Sequence, residues 1–159
     1  MADQQANAES ARKPPSAFTR FFFRNVTAVH AFLYRRGVGR AMGKMQTVLL
    51  TTRGRKSGRE HTVALGALPE GEGWVVIASY GGADVHPGWW LNLLANPTAT
   101  VQVNEKTMAV SMQEVSDPAE YQRIWSRLVS VAPNYNGYTK KTTRRIPLGL
   151  LRPVTQAAR

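Results

Sequence analysis

Between residues 16 and 36, apolar side chains return every three or four positions, at Phe18, Phe21, Phe22, Val26, Val29 and Leu33, with Arg20, Arg24 and Arg35 among them. That spacing predicts an amphipathic helix. Phe23, Phe32 and Tyr34 lie off the stripe, so the helix is more aromatic than one core face requires. Packing across the end of a barrel explains this, and so does a basic helix resting on an anionic membrane surface. Gly37 and Gly39 then break the helix. With Gly43 they come close to a dinucleotide-binding fingerprint, but the spacing is one residue too long and a helix stands where a strand is needed.

After residue 46 the pattern changes to that of strands. Residues 47–52 (TVLLTT) form a β-branched apolar run, followed by a glycine-punctuated basic loop over residues 53–60 (RGRKSGRE). A second run covers residues 61–68, residues 69–73 (PEGEG) read as a turn, and residues 74–79 (WVVIAS) as a buried strand. Residues 98–103 and 106–115 flank a turn at Asn104 and Glu105, and residues 146–151 supply a sixth strand. One helix starts near Pro87, in keeping with proline at a first helical position, and stops before Pro97. Another opens with Asp117 as N-cap, Pro118 next and Glu120 three residues on, with Tyr121, Ile124, Trp125, Leu128 and Val129 as its apolar face. Six strands with three helices offer too few crossovers for repeated βαβ units. The expected fold is a mainly β, α+β antiparallel barrel with helical additions.

The 159 residues suit one domain, expected over residues 16–153, after a disordered polar lead-in at 1–15 (MADQQANAESARKPP) and before a short tail at 154–159. The lead-in lacks the apolar core of a signal peptide. With no cysteine in the chain, disulfide frameworks, thiolate metal sites and cysteine nucleophiles are excluded. A cytoplasmic location is expected, peripheral on the inner face of the membrane if the first helix docks there. Lys and Arg number 21 against 10 acidic residues, a net charge of +11. Such a balance favours anionic partners. Nucleic acid is not expected among them: there is no zinc-finger spacing, interleaved aromatic RNA signature or helix-turn-helix pair. His30, His61 and His86 are scattered, without triad or metal-ligand spacing, so no metal is expected.

Three segments could carry chemistry. In the basic loop, Arg53, Arg55, Lys56 and Arg59 surround Gly54, Ser57 and Gly58. Glycines let backbone N–H groups turn inward as an anion nest, to which cations and a hydroxyl add charge-assisted bonds. A solvated hairpin tip has the same composition. Residues 78–82 (Ala78, Ser79, Tyr80, Gly81, Gly82) follow a buried strand with small side chains that allow a flat ring to approach the backbone, although an ordinary turn would look alike. On the helix near Pro87, one indole of Trp89 and Trp90 could cover a ring and Asn92 could reach a phosphate, whereas core packing is the commoner fate of a tryptophan pair.

Taken together and in order, TTRGRKSG, VVIASYGG and HPGWWLNLLANP resemble the deazaflavin-dependent nitroreductase family, over roughly residues 18–153. The resemblance implies a split barrel related to flavin-binding proteins, and coenzyme F420 as cofactor. It implies that Arg55, Lys56, Ser57 and Gly58, with Arg59 nearby, hold the coenzyme's phosphate and acidic tail. Ala78, Ser79, Tyr80, Gly81 and Gly82 would line the deazaflavin ring, with Trp89 and Asn92 along its phosphate and side-chain stretch. The segment PNYNGYTKKTTRRIP is similar to the family's tyrosine-bearing lid, placing Tyr135 and Tyr138 on the substrate side. This sequence departs from the family at His61 and Ala64, where an arginine and a proline are frequent, and at Gly66 and Ala132, where aromatics occur.

The implied activity is hydride transfer from the reduced deazaflavin to a quinone, nitroaromatic or activated alkene, with Ser79, Tyr135 or Tyr138 supplying a hydrogen bond or proton. Alternatives are an FMN-dependent oxidoreductase of the same fold, a non-catalytic deazaflavin carrier, and a peripheral membrane protein.

Overall fold

Valine, leucine and threonine dominate the run at residues 47–52, and they lie at the centre of a sheet that closes on itself. The protein is seen here as a computed structural model that describes Ala41–Met42 and residues 45–154. The lead-in and the helix expected at residues 16–36 lie outside the described residues. The strands are β1 (Ala41–Met42), β2 (Met45–Arg53), β3 (Glu60–Glu70), β4 (Gly73–Ile77), β5 (Thr98–Val103), β6 (Lys106–Glu114) and β7 (Leu148–Pro153). Their order is β1-β2-β3-β4-β7-β6-β5, and β5 returns to β2 through Leu49–Gln102, Leu50–Val101 and Thr51–Thr100. Six strands therefore close as an antiparallel barrel, the expected architecture, and β1 extends one edge of β2.

Three boundaries differ from expectation, each for a local reason. The strand after the basic loop runs on through Pro69 and Glu70, which pair with Trp74 and Gly73, so the turn shrinks to Gly71 and Glu72. Pairing of β3 with β2 ends at Ala67, so Pro69 sits where a missing N–H leaves a sheet edge undisturbed. Strand β4 stops at Ile77, because the Ala78 N–H bonds the carbonyl of Pro147 and the chain turns out of the ladder. Strand β7 starts only at Leu148, after Pro147, which has no N–H to give.

Among the described residues there are three helices: α1 (Gly88–Ala95), α2 (Pro118–Val131) and α3 (Tyr135–Thr139). Pro87 proves to be the N-cap of α1, its carbonyl accepting from the N–H groups of Trp90 and Leu91, and Asn96 ends the helix before Pro97. Asp117 caps α2 as expected, with Oδ2 accepting from the Glu120 N–H at 2.8 Å. The short helix α3 lies in the segment similar to the family lid and carried no periodic signal of its own.

Alternation along the strands sorts the core into two. Val48, Leu50, Val76, Val101, Val110 and Leu151 pack on one face around Trp89, Trp90 and Leu93 of α1. Val75, Ile77, Leu148 and Leu150 face the other way, against Tyr121, Ile124 and Leu128 of α2. Strands β4 and β7 are thus buried on both faces, which is why they read as unbroken apolar runs. Gly149 makes room for the tryptophan plug: a Cβ there would come within 2.8 Å of the Trp90 ring.

Candidate active site

The basic loop joins β2 to β3 and is closed by two backbone bonds, Gly54 N–H to the Arg59 carbonyl (2.7 Å) and Gly58 N–H to the Gly54 carbonyl (2.8 Å). Ser57 Oγ accepts from the Arg59 N–H at 3.2 Å and lies 3.5 Å from His61 Nε2. Arg55, Lys56 and Arg59 have no acidic partner among the described residues, so their charge is open to a ligand. The loop is latched to α1 by Asn92. Its Oδ1 accepts from the Arg55 N–H (3.2 Å) and from Arg55 Nη1 (3.3 Å), and its Nδ2 donates to Thr52 Oγ1 (3.1 Å). Asn92 is buried and lines the cleft, with both ends of its amide engaged by Arg55 and Thr52.

At the other end, residues 79–82 leave β4 in a 3-10 turn (Tyr80–Gly82). Tyr80, Gly81 and Gly82 have φ of 48°, 65° and 83° in succession, a left-handed run that glycine accepts and tyrosine adopts only at a cost of about 1–3 kcal/mol. Such local strain is typical of ligand-binding turns. A Cβ on Gly81 would meet nothing within 4 Å, so the backbone at that residue is open to the cleft.

Between these ends runs a cleft of about 760 Å³. Arg55, Lys56 and Ser57 line one end, Ser79, Tyr80 and Gly81 the other, and Trp89 and Asn92 the wall of α1. Strand β3 forms the opposite wall through Thr62–Gly66, with His61 at its rim. Tyr135 reaches in from α3. Its hydroxyl would stand 3.8 Å from a Cβ at Gly66, so the glycine keeps space open in front of the phenol. Burial, then the neighbouring Tyr138, pushes the Tyr135 hydroxyl above the usual phenol range, so it stays protonated near neutrality. No partner for that hydroxyl is present among the described residues, nor for Ser79 Oγ.

The remaining sequence candidates do not line the cleft. Gly58 and Arg59 lie at the exposed tip of the loop. Ala78 is fully buried beneath the turn, and Gly82 packs against Lys141 and the Tyr138 carbonyl. Tyr138 stands behind Tyr135, edge-on at 5.4 Å between ring centres, with Lys141 Nζ 5.8 Å from its own ring. Trp90 is core, whereas Trp89, perpendicular to it, reaches the cleft. Sequence reasoning passed over Arg144, whose guanidinium binds the carbonyls of Ala78, Ser79 and Ala83. Its one signal was its place in the basic run KKTTRR.

A closed antiparallel barrel with a cationic loop at one end of its cleft and a small-residue turn at the other defines a binder of a phosphorylated, flat cofactor. The family described as F420H(2)-dependent quinone reductase matches residues 23–153, and the chain belongs to it. Among its relatives, the F420H(2)-dependent quinone reductase Rv1261c of Mycobacterium tuberculosis is 33% identical over 130 residues, 77% of this chain and 87% of that protein. A solved F420-H2 dependent reductase (FDR-A) is 36% identical with a TM-score of 0.61, covering 67% of this chain and 93% of its own. Another solved structure, described as a domain-swapped dimer, is 30% identical with a TM-score of 0.62, covering 87% of this chain and all of that one (100%).

Membership makes the chain an oxidoreductase whose cofactor is coenzyme F420. The residues present fit such a group: among the described residues Arg55, Lys56 and Arg59 have no acidic partner for an anionic chain to displace, and the backbone at Gly81 is open to a ring. Among the described residues, no helix is long and apolar enough to cross a membrane.

Proposed function

We propose that the cleft binds the reduced coenzyme along its length and a quinone beside Tyr135, and that the chain acts as a quinone reductase through these residues. Arg55 and Lys56 hold the phosphate and acidic tail, Ser57 adds a hydroxyl, and Ser79–Gly81 lie against the ring. When bound, the reduced deazaflavin supplies a hydride. The chain's own residues hold donor and acceptor together, keep water out, and stabilise the oxygen on which negative charge develops. Tyr135 suits the last of these roles, because its hydroxyl is half-buried, unpartnered among the described residues and held protonated. Ser79 Oγ is a second donor at the same end of the cleft. Tyr138 supports Tyr135 from behind.

The observation that carries this reading is the convergence of Arg55, Lys56, Ser79, Gly81 and Tyr135 on one cleft. The test is steady-state oxidation of reduced F420 by menadione, with a nitroaromatic and an activated alkene compared as acceptors. Tyr135→Phe should lower kcat by about tenfold or more while F420 affinity is unchanged. Binding of F420 without reduction of any acceptor would make the protein a carrier, and tighter binding of FMN than of F420 would move it to the flavin branch. Docking of residues 16–36 on an anionic bilayer would bring a lipid-dissolved quinone to the cleft. Co-sedimentation with anionic liposomes, with and without the first 36 residues, tests that proposal.

A further inference from the structure

Four acceptors converge on one guanidinium behind the ring end of the cleft. Arg144 Nε donates to the Ala83 carbonyl at 2.8 Å, Nη2 to the carbonyls of Ser79 at 2.9 Å and Ala78 at 3.1 Å, and Nη1 to His86 Nδ1 at 3.3 Å. The Arg144 N–H donates to Thr142 Oγ1 at 3.2 Å, and that hydroxyl donates to Asp84 Oδ1 at 2.7 Å. Every guanidinium acceptor, and Asp84 with them, belongs to residues 78–86, which carry Ser79, Tyr80 and Gly81 to the cleft and lead into α1. We infer that Arg144 is a positioning residue that sets the backbone orientation of this turn, and through it the affinity for the coenzyme. The inference rests on reading the turn as the coenzyme's ring site.

The physical reason lies in the trans peptide, whose C=O and N–H point in opposite directions. Drawing the carbonyls of Ala78 and Ser79 to the guanidinium turns the N–H groups of Ser79 and Tyr80 away from it. Ser79 is buried at 8% exposure and lines the cleft, yet its N–H has no acceptor among the described residues. An N–H beside the cleft with no protein acceptor is available to a ligand there. A carbonyl or ring nitrogen on the edge of a flat heterocycle provides the matching acceptor. Only arginine offers five donors in a rigid fork; lysine has the charge but cannot span these acceptors. The Ser79 carbonyl also accepts from the Gly82 N–H at 2.9 Å, and the Tyr80 carbonyl from the Ala83 N–H at 3.2 Å, so the turn and the Arg144 clamp share an acceptor.

The test uses the full chain with Arg144→Lys and Arg144→Ala. Amide hydrogen exchange of the protein alone should show faster exchange at Gly82 and Ala83, with amides of β2 and β5 as in the wild type. The dissociation constant for F420, followed by tryptophan fluorescence, should rise by about tenfold. KM for the coenzyme should rise, while KM for menadione at saturating coenzyme stays unchanged. Wild-type protection at Gly82 and Ala83 in both variants would overturn the inference, as would unchanged F420 affinity in a variant whose turn has loosened. If Arg144→Ala does not fold, Arg144→Lys decides. If the wild type itself does not bind F420, the coenzyme reading fails separately and the exchange experiment alone decides whether Arg144 orients the turn.

Discussion

The two ends of the cleft are built in opposite ways. The cationic end is one hairpin loop, exposed, closed by its own backbone bonds and latched at Arg55 by Asn92. The other end, proposed to take the ring, is a strained turn whose carbonyls are held by a guanidinium 61 to 66 positions further along the chain. Each construction suits what it would hold. Attraction between several cations and a flexible anionic chain varies slowly with distance and angle, so an exposed loop suffices. A flat reactive ring must be placed to a fraction of an ångström, which requires a backbone that cannot drift.

Removing charge should break the first end most strongly. In Arg55→Ala/Lys56→Ala, F420 affinity is predicted to fall about a hundredfold with Tm almost unchanged, and the salt dependence of binding to flatten. Titration at two ionic strengths checks this; unchanged affinity would remove the loop from the site. A backbone change should break the second end. Gly82 sits at φ 83°, and a Cβ there would lie 2.9 Å from Lys141 Cβ and 3.1 Å from the Tyr138 carbonyl. Gly82→Ala should therefore destabilise the fold by about 1–3 kcal/mol and lower kcat, as read by denaturant unfolding and steady-state assay.

The latch between the loop and α1 comes next. Asn92→Ala leaves the Thr52 hydroxyl and the Arg55 N–H without their partner and should cost about 1–2 kcal/mol of stability. A double-mutant cycle of F420 affinity with Arg55→Ala separates the two roles: a latch gives strong coupling, whereas a direct phosphate ligand gives nearly additive losses.

The smallest effect concerns pH. Arginine has no acceptor, so His86 Nδ1 must accept from Arg144, which requires a neutral imidazole. Burial and then the Arg144 charge push His86 below the usual histidine range, while Glu114 works in the opposite direction. A lowered folded-state value means that His86 contributes stability above the unfolded histidine pKa of about 6.5, and that this is lost as pH falls through the lower folded value. Thermal melts between neutral pH and pH 5 should show a small fall in Tm that His86→Gln reduces.

Much of this architecture could be read along the chain. Runs such as WVVI at β4 declared strands because both of their faces are buried, and Asp117 with Pro118 announced α2 because capping is a local matter. The basic loop was legible for the same reason, since its cations, glycines and turn lie within seven consecutive residues, 53–59. Strand ends at Pro69 and Ile77 were less so, being set by where a neighbouring strand stops or a carbonyl waits. The short helix α3 has no periodic face, and its position depends on packing over the second core.

The family resemblance drew Tyr135 and Tyr138 as a pair, but their division of labour is a matter of packing: one phenol enters the cleft and the other braces it. Asn92 is likewise named by its segment, while its engagement with Arg55 and Thr52 depends on α1 meeting the end of β2. Arg144 marks the limit most clearly. In the sequence it is one cation in a basic run; in the fold it is the fork that binds the carbonyls of Ala78, Ser79 and Ala83. Chemistry encoded within a turn or a loop is visible to its own neighbours in sequence, because only local backbone geometry is needed. Contacts made across the closed barrel are not, because the partners are brought together only after the strands between them have paired.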